Sequence, residues 1–349
     1  MNMFTPFLKK NAVLLLVSTF FLVMLSLSIL SLQVKAANTN EVVVYSSRNE
    51  QLIKPVFDQY TKETGVNVRF VTDKVGPLLA RLKSEGQHTR ADLLITVDAG
   101  NLWFATQSGL LQPIESASLD RDVPEHLRDP EKNWFGLSVR ARTMFYNTQQ
   151  VTPEELSTYQ ALGEPQWAGR LCLRTSKKVY NQSLVAMLIA NEGEAETEKV
   201  VSNWVDNLAT PPFSNDSKML EAVASGLCAV GIANTYYYGR LMKKHPELPL
   251  GIFWANQATD GVHVNVAGAG VTHYAKNRQA AIALLEWMAS AKAQKLFADD
   301  NLEYPVNPAV KPADTVAAWG EFKPNLINVS EAGERQVQAV KLMDRAGYK

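Results

Sequence analysis

The sequence is short of most of the residues that catalysis or nucleic-acid binding draws on. It contains two cysteines, Cys172 and Cys228. That is too few for a thiolate zinc centre, which usually needs four ligands at close spacing. Its five histidines, His88, His126, His245, His263 and His273, show no paired metal-ligand spacing, and each reads as a surface or capping residue. No charge of either sign is in excess, with 35 basic and 35 acidic residues. This removes the basic surface that a nucleic-acid partner requires. No nucleophile elbow, phosphate loop or zinc-hydrolase motif is present, and no internal repeat suggests a solenoid.

One long apolar run is present. Lys9 and Lys10 precede the uncharged stretch from Ala12 to Leu32, followed by Val34-Lys35-Ala36 with residues a signal peptidase accepts. Residues 1–36 are therefore expected to be a cleaved export signal. The stretch is also long enough to remain as a membrane anchor. No cysteine follows it, so a lipid anchor is excluded. Loss of Lys9, Lys10 and Lys35 leaves 32 basic against 35 acidic residues, a net charge of −3. In an oxidising compartment Cys172 and Cys228 are expected to form a disulfide between two candidate strands, the alternative being two buried thiols.

Beyond the apolar run, strand and helix patterns alternate, which points to an α/β fold. Strands are expected at Glu41–Tyr45, Val66–Val71, Leu93–Val97 and along Gly136–Tyr146. The intervening helices fall at Leu52–Glu63, Pro77–Ser84 and Asn101–Gln107. A second series places strands at Leu171–Arg174, Ala229–Ala233 and His263–Val271. Its helices are expected at Ser183–Asn191, Glu196–Leu208, Lys218–Ala224, Tyr236–Lys244, Arg278–Ala289 and Ala291–Asp299. Two such series joined by extended crossings imply two lobes with hinge strands.

Ligands of open α/β sheets collect at the carboxyl ends of strands, against helix N-termini. Three such places hold unusual residues: Tyr45-Ser-Ser-Arg-Asn-Glu50, Lys178-Val-Tyr-Asn-Gln-Ser183 and Ala233-Asn-Thr-Tyr-Tyr-Tyr238. Asn181 or Ser183, and Asn234 or Thr235, can cap the helices that follow. Neighbours on a helix point about 100° apart, so Tyr236 and Tyr237 cannot share one narrow buried stripe. At a helix start facing a cleft both can reach a common point. Spacing alone leaves two uses open, an aromatic wall for an organic solute or a metal site.

The runs Tyr45-Ser-Ser-Arg48, Ala91-Asp-Leu-Leu-Ile-Thr-Val-Asp98-Ala-Gly-Asn-Leu-Trp103, Ser138-Val-Arg-Ala-Arg142, Val179-Tyr-Asn-Gln-Ser183, Asn234-Thr-Tyr-Tyr237 and Val264-Asn-Val-Ala-Gly-Ala-Gly-Val271 resemble, in order, the ferric-iron-binding proteins of bacterial ABC importers. The resemblance implies a type II periplasmic-binding-protein fold, two α/β lobes joined by hinge strands. Lobe 1 would comprise 37–139 and 264–310, and lobe 2 residues 140–263, with 311–349 a C-terminal helical segment packed on both. It implies a periplasmic monomer, membrane-anchored if the signal is not cleaved, that binds Fe³⁺ without catalysis and delivers it to an inner-membrane ABC permease. The rival within the same fold is capture of a polyamine, a thiamine-like cation or a sugar phosphate.

By the resemblance Tyr180, Tyr236 and Tyr237 are iron ligands. The family's usual first-lobe pair falls on Asn49 and Glu50 here, so Glu50 is the replacement ligand with Asn49 beside it. Otherwise Glu50 is merely a carboxylate in the first turn of a helix, where it is favourable anyway. Hard anionic oxygens suit a small trivalent ion. Three phenolates and Glu50 around Fe³⁺ leave one excess negative charge, which calls for a nearby cation. Arg140 and Arg142, two apart on one strand, are the candidates, with Arg140 favoured and able to hold carbonate or another synergistic anion. Salt bridges between the lobes are their alternative role. Asp98 is a second-choice ligand that also suits a helix cap.

Overall fold

The computed structural model describes residues 40–349, so the export-signal reading of residues 1–36 lies outside the described residues. The chain opens with β1 (Glu41–Ser46), whose β-branched run suits a buried strand. Helix α1 (Glu50–Thr64) follows, capped by the Asn49 side chain, which accepts from the Gln51 amide. It stops at Gly65, whose φ of 74° is left-handed. Next come β2 (Asn67–Thr72), α2 (Val75–Glu85), β3 (Leu93–Thr96), α3 (Ala99–Gln107) and α4 (Ala117–Asp122). Both β2 and β3 lie parallel to β1 on either side of it, as strands joined by crossover helices must.

The long strand β4 (Phe135–Asn147) is buried at every one of its 13 residues. Then follow β5 (Leu171–Cys172), α5 (Val179–Glu192), α6 (Glu194–Asp206), α7 (Asp216–Ala224), β6 (Val230–Asn234), α8 (Thr235–Lys244), β7 (Leu250–Phe253) and β8 (Val264–Val271). The chain closes with α9 (Arg278–Ala289), α10 (Ala291–Asn301), β9 (Tyr304–Pro305), α11 (Asp314–Ala317), α12 (Glu331–Glu334) and α13 (Gln336–Arg345).

The sheet order is β2-β1-β3-β8-β4-β6-β5, with β7 and β9 also pairing to β4. The first half of β4 pairs antiparallel with β8 from Phe135 to Ala141. From Arg142 onward it pairs with β6 and then β7. One strand therefore carries the chain from a half built on β1, β2, β3 and β8 to a half built on β5, β6 and β7. The inner strands β3 and β8 are buried throughout, as expected where helices cover both faces. The edge strand β2 alternates in exposure.

Cys172 on β5 and Cys228 just before β6 are bridged, with Cα atoms 5.8 Å apart. They staple the two parallel strands that hold one side of the second half. The short strands β7 and β9 were not expected from the sequence, because two to four residues carry too little alternation to register. Helix α5 begins at Val179 and not at Ser183. Its N-cap is Lys178 with no side-chain capping bond, so the Asn181 and Ser183 side chains are released for other partners. Among the histidines, His263 departs from the expected surface or capping role, since it is buried.

Candidate functional site

A polar cleft of about 280 Å³ is lined by residues from both halves. From the first half, Ser47, Arg48 and Asn49 follow β1, Val97 follows β3, and Glu303 precedes β9. Arg140 comes from the middle of β4, and Lys178, Tyr180, Tyr236, Tyr237 and Arg240 come from the start of α5 and from α8. Loops after strands and first turns of helices thus supply the lining, as open α/β sheets require.

Tyr236 and Tyr237 occupy the first turn of α8, where their rings pack with centroids 4.4 Å apart. Tyr180 lies in the first turn of α5 and lines the same cleft. The Asn234 side-chain amide donates to the Tyr236 hydroxyl at 3.2 Å. The three phenols therefore form one cluster. Burial raises the Tyr180 phenol above its ordinary range, helped by Tyr237 and opposed by Arg140. Burial raises Tyr236 well above that range too, with Tyr180 and Tyr237 adding to it.

Cations surround the cluster. The Arg140 guanidinium sits 5.4 Å from the Tyr180 ring centre, Arg174 5.5 Å and the Lys178 ammonium 5.0 Å, while Arg240 lies 4.9 Å from the Tyr236 ring. Burial lowers the Lys178 ammonium, and Arg174 lowers it further. Several of these charges are already matched. Arg48 pairs with the buried Glu303 at 3.0 Å, and Ser138 donates to the same carboxylate oxygen at 2.6 Å. Burial alone would raise Glu303, but Arg48, Ser138 and Arg140 outweigh it and hold the carboxyl below its usual value. Asp98 faces Arg140 at 3.5 Å.

Asp98 also caps α3 through the Gly100 amide and accepts from Ser183 at 3.0 Å and Asn265 at 2.9 Å. It acts as a cap and a tie between α5 and the first half. Arg142 and Arg140 separate along β4. Arg142 is 1 % exposed in its side chain and is not among the lining residues. Its five N–H groups go to Asn181, Asp216, Asn234 and the Ile232 carbonyl at 2.6–3.2 Å. Asn49 lines the cleft, whereas Glu50, next to it, is exposed and outside the lining.

Lys178, Arg240, Ser47 and Glu303 were not singled out from the sequence. Arg240 follows Tyr236 by four residues, a spacing that puts both on one helical face, so that signal was available. Glu303 had none, because it reaches Arg48 across 255 residues of chain.

A cleft between two α/β halves, floored by a crossing strand and lined by helix starts, defines a two-lobed solute-binding protein with the type II periplasmic-binding fold. Residues 89–321 match the family described as bacterial extracellular solute-binding protein, and the chain belongs to that family. It is a binding protein and not an enzyme. It is 42 % identical to Iron uptake protein A1 of Synechocystis, over 88 % of either chain. The solved Trichodesmium protein IdiA (FutA) in complex with iron and citrate ligands is 43 % identical, with a TM-score of 0.85 over 88 % of this chain and all of that one. A Mannheimia haemolytica ferric iron-binding protein A, solved in an open conformation, is 32 % identical with a TM-score of 0.83 over 88 % of this chain and 99 % of its own.

Proposed function

We propose that the cleft captures ferric iron through the phenolate oxygens of Tyr180, Tyr236 and Tyr237, and that the protein carries it across the periplasm to an ABC permease. The observation that carries this reading is the clustering of three phenols from two helix starts. A hard trivalent ion prefers such oxygens. The names of the relatives, which are iron uptake and ferric iron-binding proteins, support the same cargo. Residues 1–36 would serve as the export signal, 37–139 with 264–310 as lobe 1, and 140–263 as lobe 2.

Charge supports an anion beside the iron. Fe³⁺ with three phenolates is neutral, and Arg48 and Arg140 already face Glu303 and Asp98. Lys178 and Arg240 add two positive charges to the lining. Carbonate or a small carboxylate held by Lys178, Arg240 and Arg140 would satisfy them, and Glu50 at the rim would become a ligand when the lobes close. The cations also argue against a polyamine or thiamine-like solute in the same cleft.

The test is to add ferric nitrilotriacetate to the chain lacking residues 1–36 and record the visible spectrum. Phenolate bound to Fe³⁺ gives a charge-transfer band, with one iron retained per chain. A colourless protein that retains no iron overturns the proposal.

A further inference from the structure

Behind the phenols, away from the cleft, lies a buried polar network that ends at the last residues of the chain. Gly347, with φ 73°, turns the chain after α13 so that Tyr348 folds inward and is 3 % exposed. The Tyr348 hydroxyl donates to the Arg174 carbonyl at 2.5 Å and accepts from the Asn181 side-chain amide at 2.8 Å. The Ser176 amide donates to the Lys349 carbonyl at 3.1 Å. Residues 348–349 therefore grip the 174–181 segment, which carries Arg174, Lys178 and Tyr180.

From Asn181 the network continues without a break. The Asn181 carbonyl oxygen accepts from Arg142 at 2.6 and 3.0 Å. Arg142 donates to Asn234 at 3.1 Å, and Asn234 donates to the Tyr236 hydroxyl at 3.2 Å. Arg142 also donates to Asp216 at 3.2 Å; Arg174, whose guanidinium stands 5.5 Å from the Tyr180 ring centre, donates to the other carboxylate oxygen of Asp216 at 2.8 Å. Arg142 and Asp216 are fully buried, so each hydrogen bond is costly to leave unmade. One chain of partners thus reaches the neighbour of Tyr180 and the hydroxyl of Tyr236.

We infer that Tyr348 is a positioning residue for the cleft, fixing Tyr180 and Tyr236 through Asn181 and Arg142 although it touches neither of them. The inference rests on the reading of the phenols as iron ligands. Outer partners of metal ligands typically change affinity by about 10–100-fold when removed.

Tyr348→Phe keeps the ring and removes the hydroxyl. Arg345→Ala is the comparison, since it breaks the exposed bridges from α13 to Glu194 and Glu198 and loosens the same tail without touching the network. Both variants and the wild type are loaded with ferric nitrilotriacetate, then assayed for the charge-transfer maximum, for iron loss to a competing chelator and for the melting temperature of the iron-free form. Expected is a shifted band and about tenfold or greater weakening in Tyr348→Phe, with both unchanged in Arg345→Ala. A variant missing residues 348–349 should behave as Tyr348→Phe or worse. If Tyr348→Phe only lowers the melting temperature, or changes nothing, Tyr348 is a packing residue and the inference fails. Equal shifts in Arg345→Ala would refute it as well, by showing that general loosening suffices. A wild type that takes up no iron overturns the reading of the cleft itself, and this inference with it.

Discussion

Lowering the pH should release the iron steeply, and the slope can be worked from the phenols. Burial raises Tyr180 and Tyr236 above the ordinary tyrosine value of about 10, so both hydroxyls are protonated in the empty protein throughout pH 5–8. Binding as phenolate expels one proton from each. Affinity therefore rises with pH, and two protons make the slope about a hundredfold per pH unit. Between pH 7.5 and 6.5 the affinity should fall by at least about that factor, after correction for the competing chelator's own protonation. The assay is competition against a chelator of known proton stoichiometry, followed at the charge-transfer band. An affinity that changes by less than tenfold per pH unit would refute phenolate binding by this pair.

Tyr236→Phe and Tyr237→Phe should each bleach the band and weaken iron more than the ~10–100-fold that an outer partner costs; unchanged binding in either removes that residue from the ligand set. Glu50→Ala should weaken or shift the band; if affinity and spectrum stay as they were, the fourth position belongs to the anion. Opening the Cys172–Cys228 bridge, which spans a separation of 56 residues, should cost roughly 4 kcal/mol by loop entropy, read from urea unfolding with and without reductant. His263 is held at about 3 by burial, with Arg140 and Arg142 adding to it. Because that folded value is depressed, the unfolded chain takes up the extra proton below pH 6.5, and stability falls by up to about 1.4 kcal/mol per pH unit down to about pH 3. Urea midpoints at pH 7 and 5 should fall further for wild type than for His263→Gln; equal falls contradict this.

The strands and helices that carry the lining were legible because their patterns are local. Gly136–Tyr146 nearly coincides with β4, and Tyr236–Lys244 lies within α8. The tyrosines stood out because successive aromatics at a helix start do not suit a single buried stripe. What was not legible depends on long-range geometry. Arg140 and Arg142 share one side of an ideal strand, yet β4 changes partners between them, from β8 to β6. That change sends Arg140 into the cleft and Arg142 behind the phenols. Which of Asn49 and Glu50 lines the cleft was not legible either: both are exposed in the first turn region of α1, and the lining takes Asn49. Tyr348 gave no signal at all, since its role depends on a turn at Gly347 and on partners 167 and 174 residues away.

Crystals of the iron-loaded protein, measured at the iron absorption edge, test the central claim most directly. The expected result is one anomalous peak per chain, within bonding distance of the hydroxyl oxygens of Tyr180, Tyr236 and Tyr237, with a small anion against Lys178 and Arg240. A peak elsewhere on the molecule, or one bonded to fewer than two of those oxygens, would contradict it.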